Sequence, residues 1–167
     1  MTMPNATIKT HTWGSLPSEG FEPAFADFVK SALPKYPEGW KSFQQAIGGA
    51  VEEFGLPVLY DVPLLELGVE NSEAQIDLCI EGGGTLVHIS GRQAARHEKE
   101  VLEIAAVSVC NERYRYGVLV VRADNKLKLE GNRSSYDYCS KALLQLATPV
   151  LRCTPLKGLL IVGYSTD

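Results

Sequence analysis

An aspartate set inside an apolar run is the first residue that could do chemistry. Asp77 lies in Gln75-Ile76-Asp77-Leu78-Cys79-Ile80, and the next such run, Thr85-Leu86-Val87-His88-Ile89-Ser90, carries a histidine and a serine at alternate positions. Successive side chains of an extended strand point to opposite faces, so Ile76, Leu78 and Ile80 are expected on one face and Gln75, Asp77, Cys79 and Glu81 on the other. The second run presents either Val87 and Ile89 or Leu86, His88 and Ser90; if the polar faces coincide, Asp77, His88 and Ser90 converge. A carboxylate beside an imidazole can ligate a cation or move a proton. The ordinary reading fits the same residues: an aspartate that ends a turn and a half-buried histidine with one hydrogen bond.

Other candidates carry less. Gly82-Gly83-Gly84 lacks the Gly-Lys-Ser/Thr ending of a phosphate-binding loop and reads as a turn. Ser90-Gly91-Arg92 has no Gly-x-Ser-x-Gly context for a nucleophile, and His97-Glu98 is not followed by the second histidine of a zinc-protease helix. Tyr114-Arg115-Tyr116 could stack on bases but serves packing equally well. Cys79, Cys110, Cys139 and Cys153 are too scattered for a metal finger or a disulfide framework.

Those residues need a scaffold, and the chain is long and apolar enough for one: 167 residues, 45% hydrophobic and 22% charged, fit a single globular domain. Residues 1–15 show no periodicity and read as a flexible N-terminal arm, leaving 16–167 as the domain. Phe21, Phe25, Phe28 and Ala32 recur at helical spacing, as do Trp40, Phe43, Ile47, Val51 and Phe54. From Val58 the period becomes two, giving three short strands in an antiparallel meander. Arg92 to Tyr114 contains neither Gly nor Pro and predicts a long helix. Gly117-Val118-Leu119-Val120-Val121 is the continuous apolar run of a strand covered on both faces, expected at the centre and parallel to a neighbour. A short charged arm at Lys126–Glu130, a helix over Tyr136–Leu151 and a strand over Gly158–Gly163 complete an α/β mixed sheet with helices on both faces.

Charge is unevenly spread. The net charge of −4 argues against a protein held to DNA by bulk positive charge. Residues 51–81 hold eight acids and no Lys or Arg, whereas residues 91–133 hold nine basic residues against six acidic. No run approaches the ~18 apolar residues of a membrane span, and the opening lacks the basic-then-apolar order of a secretion signal, so a cytoplasmic protein without membrane attachment is expected.

From Trp40 to Tyr164 the chain resembles the restriction-endonuclease-like, or PD-(D/E)xK, nuclease superfamily. Five matches in order carry the resemblance: the helix bearing Glu52 and Glu53; Glu73-Ala74-Gln75-Ile76-Asp77-Leu78, like the strand of the first aspartate; Gly83 to Ser90, like the E-x-K strand; the Arg92 helix with the Tyr116–Val121 strand; and the final buried strand at Gly158–Gly163. The resemblance implies metal-assisted phosphodiester hydrolysis with Mg²⁺ or Mn²⁺, nucleic acid (DNA first) as partner, and a homodimer. By position Asp77 would be a metal ligand, His88 would stand at the glutamate place and Ser90 at the lysine place. That is a break in the pattern, because imidazole is a poor Mg²⁺ ligand and a serine hydroxyl brings neither charge nor basicity. A second carboxylate could come from Glu81, Glu52 or Glu53, and the missing cation from Lys99 or Arg96. The expectation is therefore a degenerate or rearranged nuclease with Asp77, His88, Ser90 and Lys99 as catalytic candidates, Asp77, His88, Glu53 and Glu81 as metal candidates, and Arg92, Arg96 and Arg115 against nucleic acid. A second resemblance, to acidic type III secretion chaperones, implies a protein-binding module without catalysis; a parallel sheet centre would tell the two apart.

Overall fold

The computed structural model describes residues 6–90 and 97–166. Six strands form one sheet: β1 (Thr7–Gly14), β2 (Val58–Pro63), β3 (Gln75–Ile80), β4 (Thr85–Ile89), β5 (Tyr116–Arg122) and β6 (Gly158–Ser165), in the order β1-β6-β5-β4-β3-β2. The meander β2-β3-β4 is antiparallel, β4-β5-β6 is parallel, and β1 closes the far edge antiparallel to β6. Helices α1 (Phe21–Ala32) and α2 (Trp40–Glu53) cover one face. Helix α3 (His97–Cys110) covers the other, with a continuous helical stretch made of α4 (Ser135–Asp137), a π-helical turn (Tyr138–Leu143) and α5 (Leu144–Leu151).

Period-two alternation explains this three-layer arrangement. Val118 and Val120 of β5 enter the core under α1 and α2, while Leu119 and Val121 enter the core under α3. All four are fully buried, as are Leu159 to Val162 of β6, so the centre of the sheet needs apolar residues at every position. Phe25 and Val29 of α1 and Phe43, Ile47 and Val51 of α2 are likewise fully buried. Each such side chain contributes about 1.5–3 kcal/mol of transfer free energy. Among the described residues no helix is long and apolar enough to cross a membrane.

Two expectations need correction, and a third falls partly outside the described residues. Residues 7–14 are not a loose arm: they form β1, paired with β6 from Thr7↔Ser165 to Gly14↔Gly158. The hydroxyls of Thr10 and Thr12 donate to Glu22 in the first turn of α1, at 2.5 and 3.2 Å, which fastens the strand to the helix. Alternation also fails once in β3, because Ile76 shares the α3-side core with Cys79 while Leu78 and Ile80 lie in the other. The ladder explains why: Tyr60↔Leu78 and Val62↔Ile76 pair, Asp61 and Asp77 between them do not, and Asp61 takes a φ of +50°. Finally, α3 is described only from His97 to Cys110; Arg92 and Arg96 lie outside the described residues.

Candidate functional site

Asp77 marks the place where β3 parts from β4. Pairing of the two strands covers Leu78↔Val87, Cys79↔Leu86 and Ile80↔Thr85 and stops there. The Asp77 carboxylate fills the opening seam: its Oδ2 accepts the Ile89 N–H at 2.7 Å, supplying the bond that the ladder no longer makes. Gln44 of α2 donates its amide to the Asp77 carbonyl at 2.8 Å from the opposite face.

His88 sits on the same side of the sheet as this carboxylate and is 5% exposed. Its Nδ1 lies 3.4 Å from Asp77 Oδ2, and its Nε2 lies 2.9 Å from Glu103 Oε2 on α3, a close charge contact that falls outside hydrogen-bond geometry. The imidazole therefore stands between two carboxylates, one on the sheet and one on the helix. Burial disfavours the charged ring, but the close approach of the Asp77 and Glu103 carboxylates and the nearby charge of Glu100 outweigh it and push the pKa up to about 9. His88 is a resident cation at neutral pH. Lys99, 70% exposed in its side chain, approaches the other Glu103 oxygen at 3.8 Å.

Ser90, 3% exposed, belongs to a buried chain of hydrogen bonds behind the seam. Asn125 donates its amide to Ser135 Oγ at 2.8 Å, the Ser135 hydroxyl faces His97 Nε2 at 3.0 Å, His97 Nδ1 lies 3.1 Å from Ser90 Oγ, and the Ser90 hydroxyl donates to Glu100 Oε1 at 3.1 Å. With one proton per hydroxyl, every link is satisfied if donation runs from Asn125 towards Glu100. The serine is thereby consumed as a connector between β4, α3 and the start of α4. Its neighbours Glu100 and His97 are both engaged in that chain, and among the described residues nothing supports a nucleophilic role. Glu100 is 7% exposed and its Oε2 has no partner among the described residues.

These groups form the floor of a cleft of about 980 Å³ at the carboxyl ends of the parallel strands, walled by Tyr36 and Trp40 on the α1–α2 side. The Trp40 indole N–H donates to the Ile89 carbonyl at 3.2 Å, so the wall is fixed to the same residue that Asp77 holds. Among the described lining residues, Glu73, Asp77, Glu100 and Glu103 face only His88 and Lys99.

The structure thus brings together Asp77, His88, Ser90 and Lys99, and leaves the other candidates elsewhere. Glu53 is exposed near the end of α2, across the sheet from His88, and Glu52 accepts from the Tyr60 hydroxyl at 3.2 Å. Glu81 is exposed at the turn end of β3, four extended residues or about 13 Å along the chain from Asp77. Arg115 lies at the amino-terminal end of the β5 region, where its Nη1 donates to the carbonyls of Ser108, Asn111 and Tyr114 at 2.7, 3.1 and 3.2 Å; it caps α3 and does not reach the cleft. Glu100 and Glu103 are the groups that sequence reasoning missed. Their signal was an acid at position 100 of the stripe His97, Glu100, Val101, Ile104 and Ser108, all buried in α3.

A divalent ion on Asp77 and His88 does not fit this donor set. Both imidazole nitrogens face carboxylates, Asp77 Oδ2 already holds a backbone N–H, and no group of three His, Cys, Asp or Glu among the described residues could hold a metal ion. Comparison with protein-family models, curated proteins and solved structures finds no match for the chain.

Proposed function

We propose that this chain is a degenerate restriction-endonuclease-like protein that binds nucleic acid, DNA in the first instance, and does not hydrolyse it. The observation that carries the reading is the meeting of Asp77 and His88 at one seam of the sheet, on the side covered by α3. The order α2, meander, α3 and parallel β5 supports the same descent. The parallel run β4-β5-β6 counts against the chaperone resemblance.

Loss of hydrolysis follows from the residues in place. His88 stands where the family needs a carboxylate, and Ser90, at the lysine place, is bound to Glu100 and cannot orient or deprotonate a water. An acidic floor repels a phosphate, but the rim does not. Lys99 leaves the carboxyl end of β4 on α3, and exposed Lys126, Lys128 and Arg133 lie on the arm that leaves the carboxyl end of β5. A polyanion is held along these side chains and kept off the floor, which gives binding without cleavage. A homodimer belongs to the same proposal.

The test is fluorescence anisotropy of labelled duplex and single-stranded oligonucleotides in EDTA, across a salt series. Binding is expected without metal, weakening with salt by about 0.9 log units per log unit for each phosphate neutralised. Reversing Lys126 and Lys128 to glutamate should weaken it roughly tenfold or more. Failure of both oligonucleotides to bind would overturn the reading.

A further inference from the structure

We infer that Leu129 is a wedge: held out in solvent on a basic arm, it enters the base stack of duplex DNA while the cationic side chains around it hold the phosphates. The inference rests on the nucleic-acid reading above and adds to it the mode of contact.

The arm lies between β5 and α4, and its sequence Lys126-Leu127-Lys128-Leu129-Glu130-Gly131-Asn132-Arg133 sets two leucines two residues apart. The first is an anchor. Leu127 is 9% exposed and packs in the core under α3; its N–H donates to the Arg133 carbonyl at 2.9 Å, and its carbonyl accepts from the N–H groups of Glu130 and Asn132 at 3.1 and 3.0 Å. Gly131 and Asn132 turn the chain back with φ of +67° and +62°. Asn125, whose side-chain amide donates to the Ser135 hydroxyl and accepts from the Ser135 N–H, ties the root of the arm to the start of α4. The second leucine is held away from the body by these ties. Leu129 is 96% exposed, whereas the next most exposed large apolar side chain among the described residues, Leu146, is 74% exposed. A side chain left this far in water adds no burial to the fold and is free for a partner.

Charge selects that partner. Lys126, Lys128 and Arg133 are exposed, while Glu130 is half-buried and close enough to Tyr138 and Cys139 for its charge to raise the pKa of both. The arm therefore shows solvent three cations and one apolar group and turns its acid towards the body. Proteins that deform DNA use that combination: the cations take the phosphates, and the apolar group slips between two bases. A second copy of the chain is disfavoured as occupant, because a two-fold contact through Leu129 would bring the same three cations face to face.

The probe is an end-labelled duplex in EDTA that carries 2-aminopurine, whose emission rises when it leaves the stack, at a central TA step, a kind that unstacks easily. Anisotropy of the end label follows binding in parallel. On saturation with wild-type protein the 2-aminopurine emission should rise about twofold or more. Leu129→Ala should bind within about tenfold of wild type and with the same salt slope, since the cations that meet the phosphates remain, but should lose the rise. Leu129→Met should keep it. Because the side chain lies in solvent, both variants should share the wild-type circular dichroism spectrum. Binding by the wild type without a rise, or an equal rise with Leu129→Ala, would overturn the inference and leave the nucleic-acid reading standing. Absence of any binding in the anisotropy would overturn both. Loss of self-association in Leu129→Ala, read by sedimentation, with no unstacking by the wild type would overturn the wedge and assign the leucine to a contact between copies of the chain.

Discussion

Asp77 performs two jobs with one oxygen. It replaces a ladder hydrogen bond at Ile89 and balances His88, so Asp77→Ala leaves a buried N–H unpaired and a buried imidazole short of one partner. The variant should lose about 3–5 kcal/mol in urea unfolding; a loss below about 1 kcal/mol would show that the seam closes without the carboxylate. The charge on His88 has its own signature. Its folded pKa of about 9 lies above the ordinary 6.5, so its stabilisation is complete below 6.5 and disappears as pH rises through 9. The groups facing the ring are Asp77 from β3 and Glu100, Glu103 and, behind Glu103, Lys99 from α3. At about 1.4 kcal/mol per pKa unit the wild type should lose a few kcal/mol across that window. His88→Gln should lack this slope when urea midpoints are compared from pH 6.5 to 9. An identical slope in both proteins would mean that the ring is not the titrating group. The convergence of Asp77 and His88 was readable from alternation and from the single polar register of Thr85–Ser90. The partnership with Glu103 was not, because the distance between a strand and a helix is fixed by packing across the layer and leaves no trace in local spacing.

At the scale of elements, the sequence was most informative where one period held over a whole segment. The stripes of α1 and α2, the meander and the two-sided apolar runs of β5 and β6 all stand where periodicity put them. β1 was missed for a physical reason. It is an edge strand with alternating exposure, rich in threonine, whose apolar residues Ile8 and Trp13 fall on opposite faces, and its partner strand lies at the far end of the chain. Its crossing with β6 is tight: a Cβ on Gly158 would lie 1.5 Å from the Ser15 carbonyl oxygen, a backbone atom that cannot swing aside. Gly158→Ala should therefore cost about 3 kcal/mol or more in thermal or urea unfolding. Gly49→Ala, in α2 with nothing within 4 Å of the added carbon, should instead stabilise by about 0.5–1 kcal/mol. Equal effects of the two changes would contradict the close approach of β1 to β6.

Over the whole molecule, the described lining of the cleft at the carboxyl ends of the parallel strands is dominated by acids, and the proposed binding surface is the exposed Lys126, Lys128 and Arg133 of the arm that follows β5. The net charge of −4 does not show the acidic floor, whose Glu73 and Asp77 come from the acid-rich segment 51–81 and whose Glu100 and Glu103 come from α3. The floor combines an imidazole held between two carboxylates with a serine already bound in a hydrogen-bond chain, so binding and cleavage should come apart. The most direct measurement follows one labelled duplex with wild-type protein in EDTA, then in Mg²⁺ and in Mn²⁺, by anisotropy for binding and by denaturing gel for products. Binding should be present in EDTA, without any metal-dependent gain, and products should not exceed those of Asp77→Ala. Robust cutting that requires Mg²⁺ or Mn²⁺ and disappears in Asp77→Ala would contradict the proposed loss of hydrolysis.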